Sequence, residues 1–163
     1  MISLLLFQVG MARAQQMVQA NVEPEKITSG YQFTEGPVWH PSGYLLFSDI
    51  PANTIYKWVP GSGAETYLSP SGHSNGLTFD QQGRLILAQH DGALAGYSKN
   101  DGMEVLVDSY NDKRLNSPND LVVGSDGSIY FTDPPFGVSE EEKALEINGV
   151  YRYSETTGLQ LLS

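Results

Sequence analysis

The sequence predicts an all-β protein of the β-propeller class, and three observations support this prediction. One pattern occurs three times: a polar residue, a short apolar strand, a tight turn and a second apolar strand. The three copies begin at Glu35, Asn75 and Asn119, and a period of roughly 40 residues is typical of a propeller blade. The composition of 17 Gly, 9 Pro and 40% hydrophobic residues is typical of a turn-rich β protein and not of a disordered chain.

Each repeat is predicted to contain four antiparallel strands. The turn between the first two strands ends at Gly43, Gly83 and Gly127, because glycine readily adopts the positive φ that tight hairpins need. The third strands are predicted at residues 54–58, 93–97 and 149–153, and the fourth strands at 63–68, 102–107 and 158–162. The interval 139–148 contains three consecutive Glu and is predicted to be an insertion loop inside the third repeat.

The first 30 residues are predicted to lie outside the propeller. Residues 1–14 form a candidate signal peptide or hydrophobic leader, because an apolar stretch precedes Ala12 and Ala14, which fit the small-residue cleavage rule. The first basic residue is Arg13, so the usual cationic start is missing. Residues 15–30 are predicted to be a linker, and residues 31–163 a partial β-propeller. We therefore expect a secreted or periplasmic protein, with a cytoplasmic location as the alternative.

Charge and cysteine content exclude several classes of function. The formal net charge is −10, which argues against a protein that follows a nucleic-acid backbone with clustered Lys and Arg. The absence of cysteine excludes a disulfide framework, a thiolate metal site and a cysteine nucleophile. Apart from the leader, no segment of the sequence is long and apolar enough to span a membrane.

The number of repeats predicts an incomplete ring. Closed propellers contain four to eight blades, whereas three repeats occupy nearly all of residues 35–163. We expect the sequence to be the N-terminal part of a longer protein. We also expect the 163-residue chain alone to be inactive and to be poorly soluble or oligomeric, because uncovered blade faces and strand edges favour association.

The repeat pattern also predicts a site. The first strand of each blade lines the central channel, so Glu35, Asn75 and Asn119 should surround one mouth of that channel. Carboxylate and amide oxygens at this position suit a hard divalent cation such as Ca²⁺. The alternative for either asparagine is an ordinary turn-capping role. Glu35 fits that alternative poorly, because Glu is a poor turn former.

A second set of polar residues follows the second strands and should lie on the same face, further from the axis. These residues are Asp49, His90 and Asp133. We expect Asn75, His90 and Asp133 to contact substrate. His90 could instead act in acid–base chemistry or be an ordinary loop residue.

Several of these segments resemble one family. They are the sequences EGPVW at 35–39, FSDIP at 47–51, SNGLTF at 74–79, RLNSPNDLVV at 114–123 and GSIYFTDPPFG at 127–137. Together they resemble the SMP-30/gluconolactonase/luciferin-regenerating family, and most closely its bacterial gluconolactonase branch. The resemblance runs from about Tyr31 to Gly137 and continues weakly to the end of the sequence.

The resemblance implies a six-bladed propeller that holds one catalytic divalent cation, Ca²⁺ or Zn²⁺, and hydrolyses sugar lactones. It implies that Glu35 is a metal ligand, that Asn119 contacts metal or substrate, and that Asp120 belongs to the catalytic group. The family's remaining metal ligands belong to later blades, beyond this sequence. The alternative hypothesis is a non-catalytic propeller that serves as a binding module, because this fold hosts many functions.

Overall fold

The structure is a computed structural model that describes residues 23–163. The predicted leader at residues 1–14 and the first part of the predicted linker lie outside the described residues. Residues 23–30 have no regular secondary structure and are mostly exposed. Within residues 23–163, no helix has the length and hydropathy that crossing a bilayer would need.

The first four strands form one antiparallel sheet in sequential order. They are β1 (Thr34–His40), β2 (Tyr44–Asp49), β3 (Thr54–Val59) and β4 (Gly63–Leu68). The predicted turn between β1 and β2 has Gly43 at a φ of 86°. This conformation closes the hairpin through a 2.9 Å hydrogen bond from the Gly43 amide to the His40 carbonyl.

The next four strands form a second sheet of the same order. They are β5 (Ser74–Phe79), β6 (Leu85–Gln89), β7 (Ala93–Ser98) and β8 (Gly102–Val107). β6 is apolar at four consecutive positions instead of alternating, and all five of its residues are buried. A strand covered on both faces has this pattern, so the sequence of β6 reflects a sheet that lies between two others.

A short hairpin precedes the third sheet. It consists of β9 (Ser109–Tyr110) and β10 (Lys113–Arg114), which the sequence analysis did not predict. Asn111 and Asp112 between them have φ values of 50° and 61°. Positive φ at both central positions is typical of the type I′ hairpin turn, in which Asn and Asp are favoured.

The third sheet again has four antiparallel strands in sequential order. They are β11 (Leu121–Val123), β12 (Ile129–Asp133), β13 (Gly149–Ser154) and β14 (Gly158–Leu161). The segment 139–148 between β12 and β13 contains neither helix nor strand. It is attached to the segment before β11, because the side-chain amide of Asn116 donates to the carbonyls of Leu145 and Ile147, each at 3.2 Å.

Two apolar layers hold the three sheets together. The layer between the first and second sheets is built from Leu46, Ile55, Leu77, Leu85 and Leu87. The layer between the second and third sheets includes Ile86, Ala88, Leu94, Leu121, Phe131 and Tyr151. Because side chains alternate along a strand, successive residues of β6 contribute to opposite layers. Burial of these side chains is the main stabilising contribution to the arrangement.

The innermost strands lie side by side. β1 and β2 both pack against β5, and β5 packs against β11. Three four-stranded sheets whose first strands are neighbours are consecutive blades of a β-propeller. The predicted all-β propeller class is therefore confirmed, with three blades in the described residues.

Candidate functional site

A cleft of about 650 Å³ lies where the inner strands β1, β5 and β11 begin. Its polar lining residues are Glu35, Asn75, His90, Asn119 and Asp120. The structure thus brings together the three residues that begin the repeats, and it adds two of the other predicted site residues. Asn119 lies two residues before β11, whereas Glu35 and Asn75 are each the second residue of their strand.

The rest of the cleft is mostly apolar. Its apolar lining residues are Phe33, Pro37, Ile50, Pro51, Leu77 and Phe136. Two of these side chains are largely uncovered, with Phe33 58% and Phe136 74% exposed. The cleft therefore has polar groups at the strand starts and an apolar surface beside them, which is the usual composition of a small-molecule site.

Two inner strands are irregular beside polar residues of the cleft. The pairing of β1 with β2 shifts register between Glu35 and Val38. The pairing of β5 with β6 shifts between Ser74 and Leu77. Such bulges bend a strand and redirect its side chains, and they occur often beside active sites. Both irregularities lie at the cleft, next to the lining residues Glu35 and Asn75.

Close backbone contacts fix the spacing between the blades at this point. Gly36 has a φ of 57°, and a Cβ there would collide with the Asn75 carbonyl. The Gly76 amide donates to the Asn119 carbonyl at 2.8 Å. The Ser48 hydroxyl donates to the Asn75 carbonyl at 2.9 Å. These contacts hold the backbone of the neighbouring inner strands close together beside the cleft.

Asn75 and His90 contact each other within the cleft. Asn75 Nδ2 lies 3.3 Å from His90 Nε2, so the amide donates to a neutral imidazole that carries its proton on Nδ1. Burial lowers the pKa of His90, and nearby His73 lowers it further, whereas Asp91 acts in the opposite direction. The neutral form is therefore favoured at neutral pH, which is consistent with an accepting Nε2.

Glu35 and Asn119 contribute a carboxylate and an amide oxygen to the cleft. The Glu35 side chain is exposed and that of Asn119 is half-buried, and no residue within 23–163 forms a hydrogen bond with either side-chain head group. In the same part of the chain, no group of three or more His, Cys, Asp or Glu side chains could hold a metal ion. The residues from 23 to 163 thus show no complete metal site.

The structure does not bring Asp133 into the cleft. Its carboxylate is fully buried and accepts hydrogen bonds from the backbone amides of Asn116 at 2.9 Å and Ser117 at 2.7 Å. Burial raises the pKa of Asp133, and these two amides oppose the rise. Both carboxylate oxygens are occupied by the segment that leads into β11, so this geometry does not support the expected contact of Asp133 with substrate, which stays an untested prediction.

The first blade uses the same arrangement. Asp49, the last residue of β2, accepts hydrogen bonds from the amides of Gln32 and Phe33, each at 3.0 Å. The corresponding residue of the second blade is Gln89, whose amide donates to the Ser71 carbonyl at 2.9 Å. The last residue of each second strand therefore attaches the incoming chain to its own blade. This repeated role explains why Asp49 and Asp133 are buried.

Two side chains that precede Asn119 in the sequence make contacts that the sequence did not predict. The Ser117 hydroxyl accepts a hydrogen bond from the Gly137 amide at 2.8 Å and lies 3.5 Å from the His90 carbonyl. The Arg114 guanidinium donates to the carbonyls of Leu115 and Asn116, each at 2.8 Å. Ser117 and Arg114 belong to the RLNSPND segment, but nothing in the spacing of that segment indicates these contacts.

Comparison with known proteins identifies sequence relatives. Residues 33–163 match the profile of the SMP-30/Gluconolactonase/LRE-like region. A gluconolactonase from Zymomonas mobilis is 37% identical, and the alignment covers 92% of this chain and 48% of that protein. The chain thus spans about half the length of this curated relative.

Solved structures show the same similarity. A gluconolactonase from Xanthomonas campestris is 32% identical with a TM-score of 0.75, and the match covers 82% of this chain and 48% of that one. A virginiamycin B lyase from Staphylococcus aureus is 17% identical with a TM-score of 0.57, and the match covers 84% of this chain and 43% of the lyase. The second similarity shows the fold alone.

Proposed function

Because the chain belongs to the SMP-30/Gluconolactonase/LRE-like family, we propose that the cleft binds a sugar lactone and hydrolyses its ring ester. One observation carries this proposal. Two oxygen-bearing side chains without hydrogen bonds to residues 23–163, Glu35 and Asn119, share one cleft with the Asn75–His90 pair. The cleft therefore combines candidate cation ligands with groups that hydrogen-bond a polar substrate.

The proposal includes a divalent cation, Ca²⁺ or Zn²⁺. Glu35 and Asn119 fit this role, because a carboxylate and an amide oxygen are ligands that hard cations accept. A cation bound there would supply positive charge beside the lactone carbonyl as it becomes an oxyanion. Two protein ligands are fewer than a tight oxygen-ligated site needs, so the complete shell requires further ligands.

The remaining polar residues have roles in orienting substrate and water. Asn75 and His90 would hydrogen-bond the hydroxyl groups of a sugar lactone. Asp120 is exposed, and its Oδ1 accepts a hydrogen bond from the Leu121 amide at 2.9 Å. This bond orients the carboxylate and leaves Oδ2 able to take a proton from a water molecule.

Water is the only co-reactant in the proposed hydrolysis of the lactone. The water oxygen forms a bond to the lactone carbonyl carbon, and Asp120 accepts a water proton. The ring C–O ester bond then breaks, and its oxygen takes up the proton from Asp120 to become a hydroxyl group. The product is a hydroxy acid, which ionises at neutral pH. Once Asp120 has given up its proton, its carboxylate would repel this anion and favour its release.

The test is a hydrolysis assay on the purified product of the full-length gene with glucono-δ-lactone, with added Ca²⁺ or Zn²⁺ and with a chelator. We expect Glu35→Gln to weaken cation affinity, measured by calorimetry, and to lower the rate of hydrolysis. Glu141→Gln is the matched control, because Glu141 is exposed and lies outside the cleft. Unchanged cation affinity in Glu35→Gln would remove Glu35 from the ligand set. A protein that binds glucono-δ-lactone without hydrolysing it would support the binding-module alternative.

A further inference from the structure

Two exposed phenylalanines contribute to the cleft from different blades. Phe33 directly precedes β1 of the first sheet, and Phe136 follows β12 of the third sheet. Exposed aromatic side chains at a concave site favour contact with an apolar part of a ligand. Neither residue has a role in the hydrolysis proposed above.

The backbone of Phe33 is firmly held although its side chain is exposed. Its amide donates to the Asp49 carboxylate at 3.0 Å, and its carbonyl accepts from the Ile50 amide at 3.1 Å. Asp49 is 2% exposed, so this anchor lies inside the blade. The position of Phe33 at the cleft is therefore built into the fold of the first sheet.

The turn that carries Phe136 is held in a comparable way. The Gly137 amide donates to the Ser117 hydroxyl at 2.8 Å. A Cβ at Gly137 would lie 3.0 Å from Cβ of His90 and would collide with the Ser117 hydroxyl, so the turn packs closely on both residues. Ser117 is fully buried. A fixed backbone lowers the conformational entropy that an aromatic contact costs on binding.

The charges of the cleft are compatible with a neutral ligand. No Lys or Arg among residues 23–163 lines it, whereas Glu35 and Asp120 do. The proposed divalent cation would balance these two carboxylates, so a neutral lactone needs no cationic side chain for charge balance. A fully hydroxylated lactone would place some hydroxyl groups against Phe, Ile and Pro side chains. Those hydroxyls would lose hydrogen bonds to water without replacement.

From these observations we propose that the cleft also accepts neutral lactones whose ring carries an alkyl tail, with Phe33 and Phe136 in contact with the tail. The inference rests on the proposed lactone hydrolysis, since the ester group occupies the same polar region. Water adds to the carbonyl carbon, the ring C–O bond breaks, and a hydroxy fatty acid is released. Phe136 is then the residue that determines specificity for the tail.

The test uses unreactive δ-lactams, in which a ring N–H replaces the ester oxygen, so that binding is measured independently of hydrolysis. One lactam carries a pentyl tail and the other carries the hydroxyl groups of glucono-δ-lactone. We expect Phe136→Ser to weaken binding of the pentyl lactam roughly tenfold, because apolar contact area is lost. Binding of the hydroxylated lactam should stay within about twofold of the unsubstituted protein, since that lactam has no tail.

Val122→Ser is the control, because Val122 is 59% exposed and lies outside the cleft. Phe33→Ser is the second variant and tests the same contact if Phe136→Ser does not fold, as judged by circular dichroism. Equal losses for both lactams would mean that Phe136 stacks on the ring, and would overturn the proposal. So would a pentyl lactam that binds no better than the hydroxylated one. Failure of the proposed function would appear separately, as absent hydrolysis of glucono-δ-lactone.

Discussion

The amide of Gly76 donates a hydrogen bond to the carbonyl of Asn119 over 2.8 Å, so the second blade directly holds the backbone of a candidate site residue in the third. Gly76 leaves no space for a larger residue. A Cβ there would lie 2.8 Å from Asp120 Oδ1 and 2.9 Å from the Asn119 carbonyl. The geometry of the cleft therefore depends on a glycine that lines none of it.

We expect Gly76→Ala to destabilise the protein by about 1–3 kcal/mol through overpacking and to displace Asn119 and Asp120. Chemical denaturation would measure the first effect, and the amide chemical shifts of Asn119 and Asp120 the second. Gly43→Ala is the control, because Gly43 has a φ of 86° but open space around it. Its cost should come from backbone strain alone, with no shift changes at the cleft. Unchanged shifts in Gly76→Ala would contradict the proposed role of this contact.

The buried carboxylate of Asp133 provides a second prediction. An Asn at this position keeps only one acceptor oxygen for the two amides of Asn116 and Ser117. We expect Asp133→Asn to cost about 1–3 kcal/mol of unfolding free energy, because one buried donor loses its partner. Asp112→Asn serves as the control, since Asp112 is exposed and its left-handed backbone suits Asn. Equal stability of the two variants in urea would show that the hydrogen bonds to the Asp133 carboxylate are not needed for stability.

His90 should make stability depend on pH. Burial lowers the pKa of its imidazole in the folded protein, whereas the unfolded chain has the ordinary value of about 6.5. The unfolded state then binds more protons as pH falls below about 6.5, so this residue's contribution to stability decreases toward acid pH. In His90→Asn, the unfolding free energy should fall less steeply over that range. An NMR titration that places the His90 pKa at or above 6.5 would refute the argument.

Ser117 should control the turn that carries Phe136. Ser117→Ala removes the acceptor of the Gly137 amide, and we expect faster hydrogen exchange at Gly137 together with a loss of about 1 kcal/mol in stability. Ser125→Ala is the matched control, because the Ser125 side chain is exposed. If Gly137 exchanges equally fast in both variants, the hydrogen bond does not hold the turn.

The strands themselves could be predicted from the sequence because their signals are local. Gly43, Gly83 and Gly127 mark the turns between first and second strands, and all three have positive φ. The repeat register then placed Glu35 and Asn75 on innermost strands, as observed. Strand period and turn glycines are properties of a few neighbouring residues, and the repeat length is the separation of the copies along the chain. They therefore require no knowledge of which blades touch.

The cleft was predicted only in part, because equivalent positions in a repeat can face different surroundings. The sequence grouped His90 with Asp49 and Asp133, yet the residue that corresponds to the two aspartates is Gln89, at the end of β6. A difference of one position separates a buried strand end from a loop residue that lines the cleft. Side chains of neighbouring residues point in different directions, so this distinction requires the register of the sheet.

The sequence by itself determined the fold class, the three repeats and the oxygen-bearing residues at the starts of the inner strands. Only the tertiary structure decided that Asp133 binds backbone amides, that Ser117 holds the turn beside Phe136, and that Gly76 supports Asn119. The physical reason is the distance along the chain over which each interaction acts. Turn and strand preferences act between neighbours along the chain, whereas these three contacts join segments that meet only after the blades have packed.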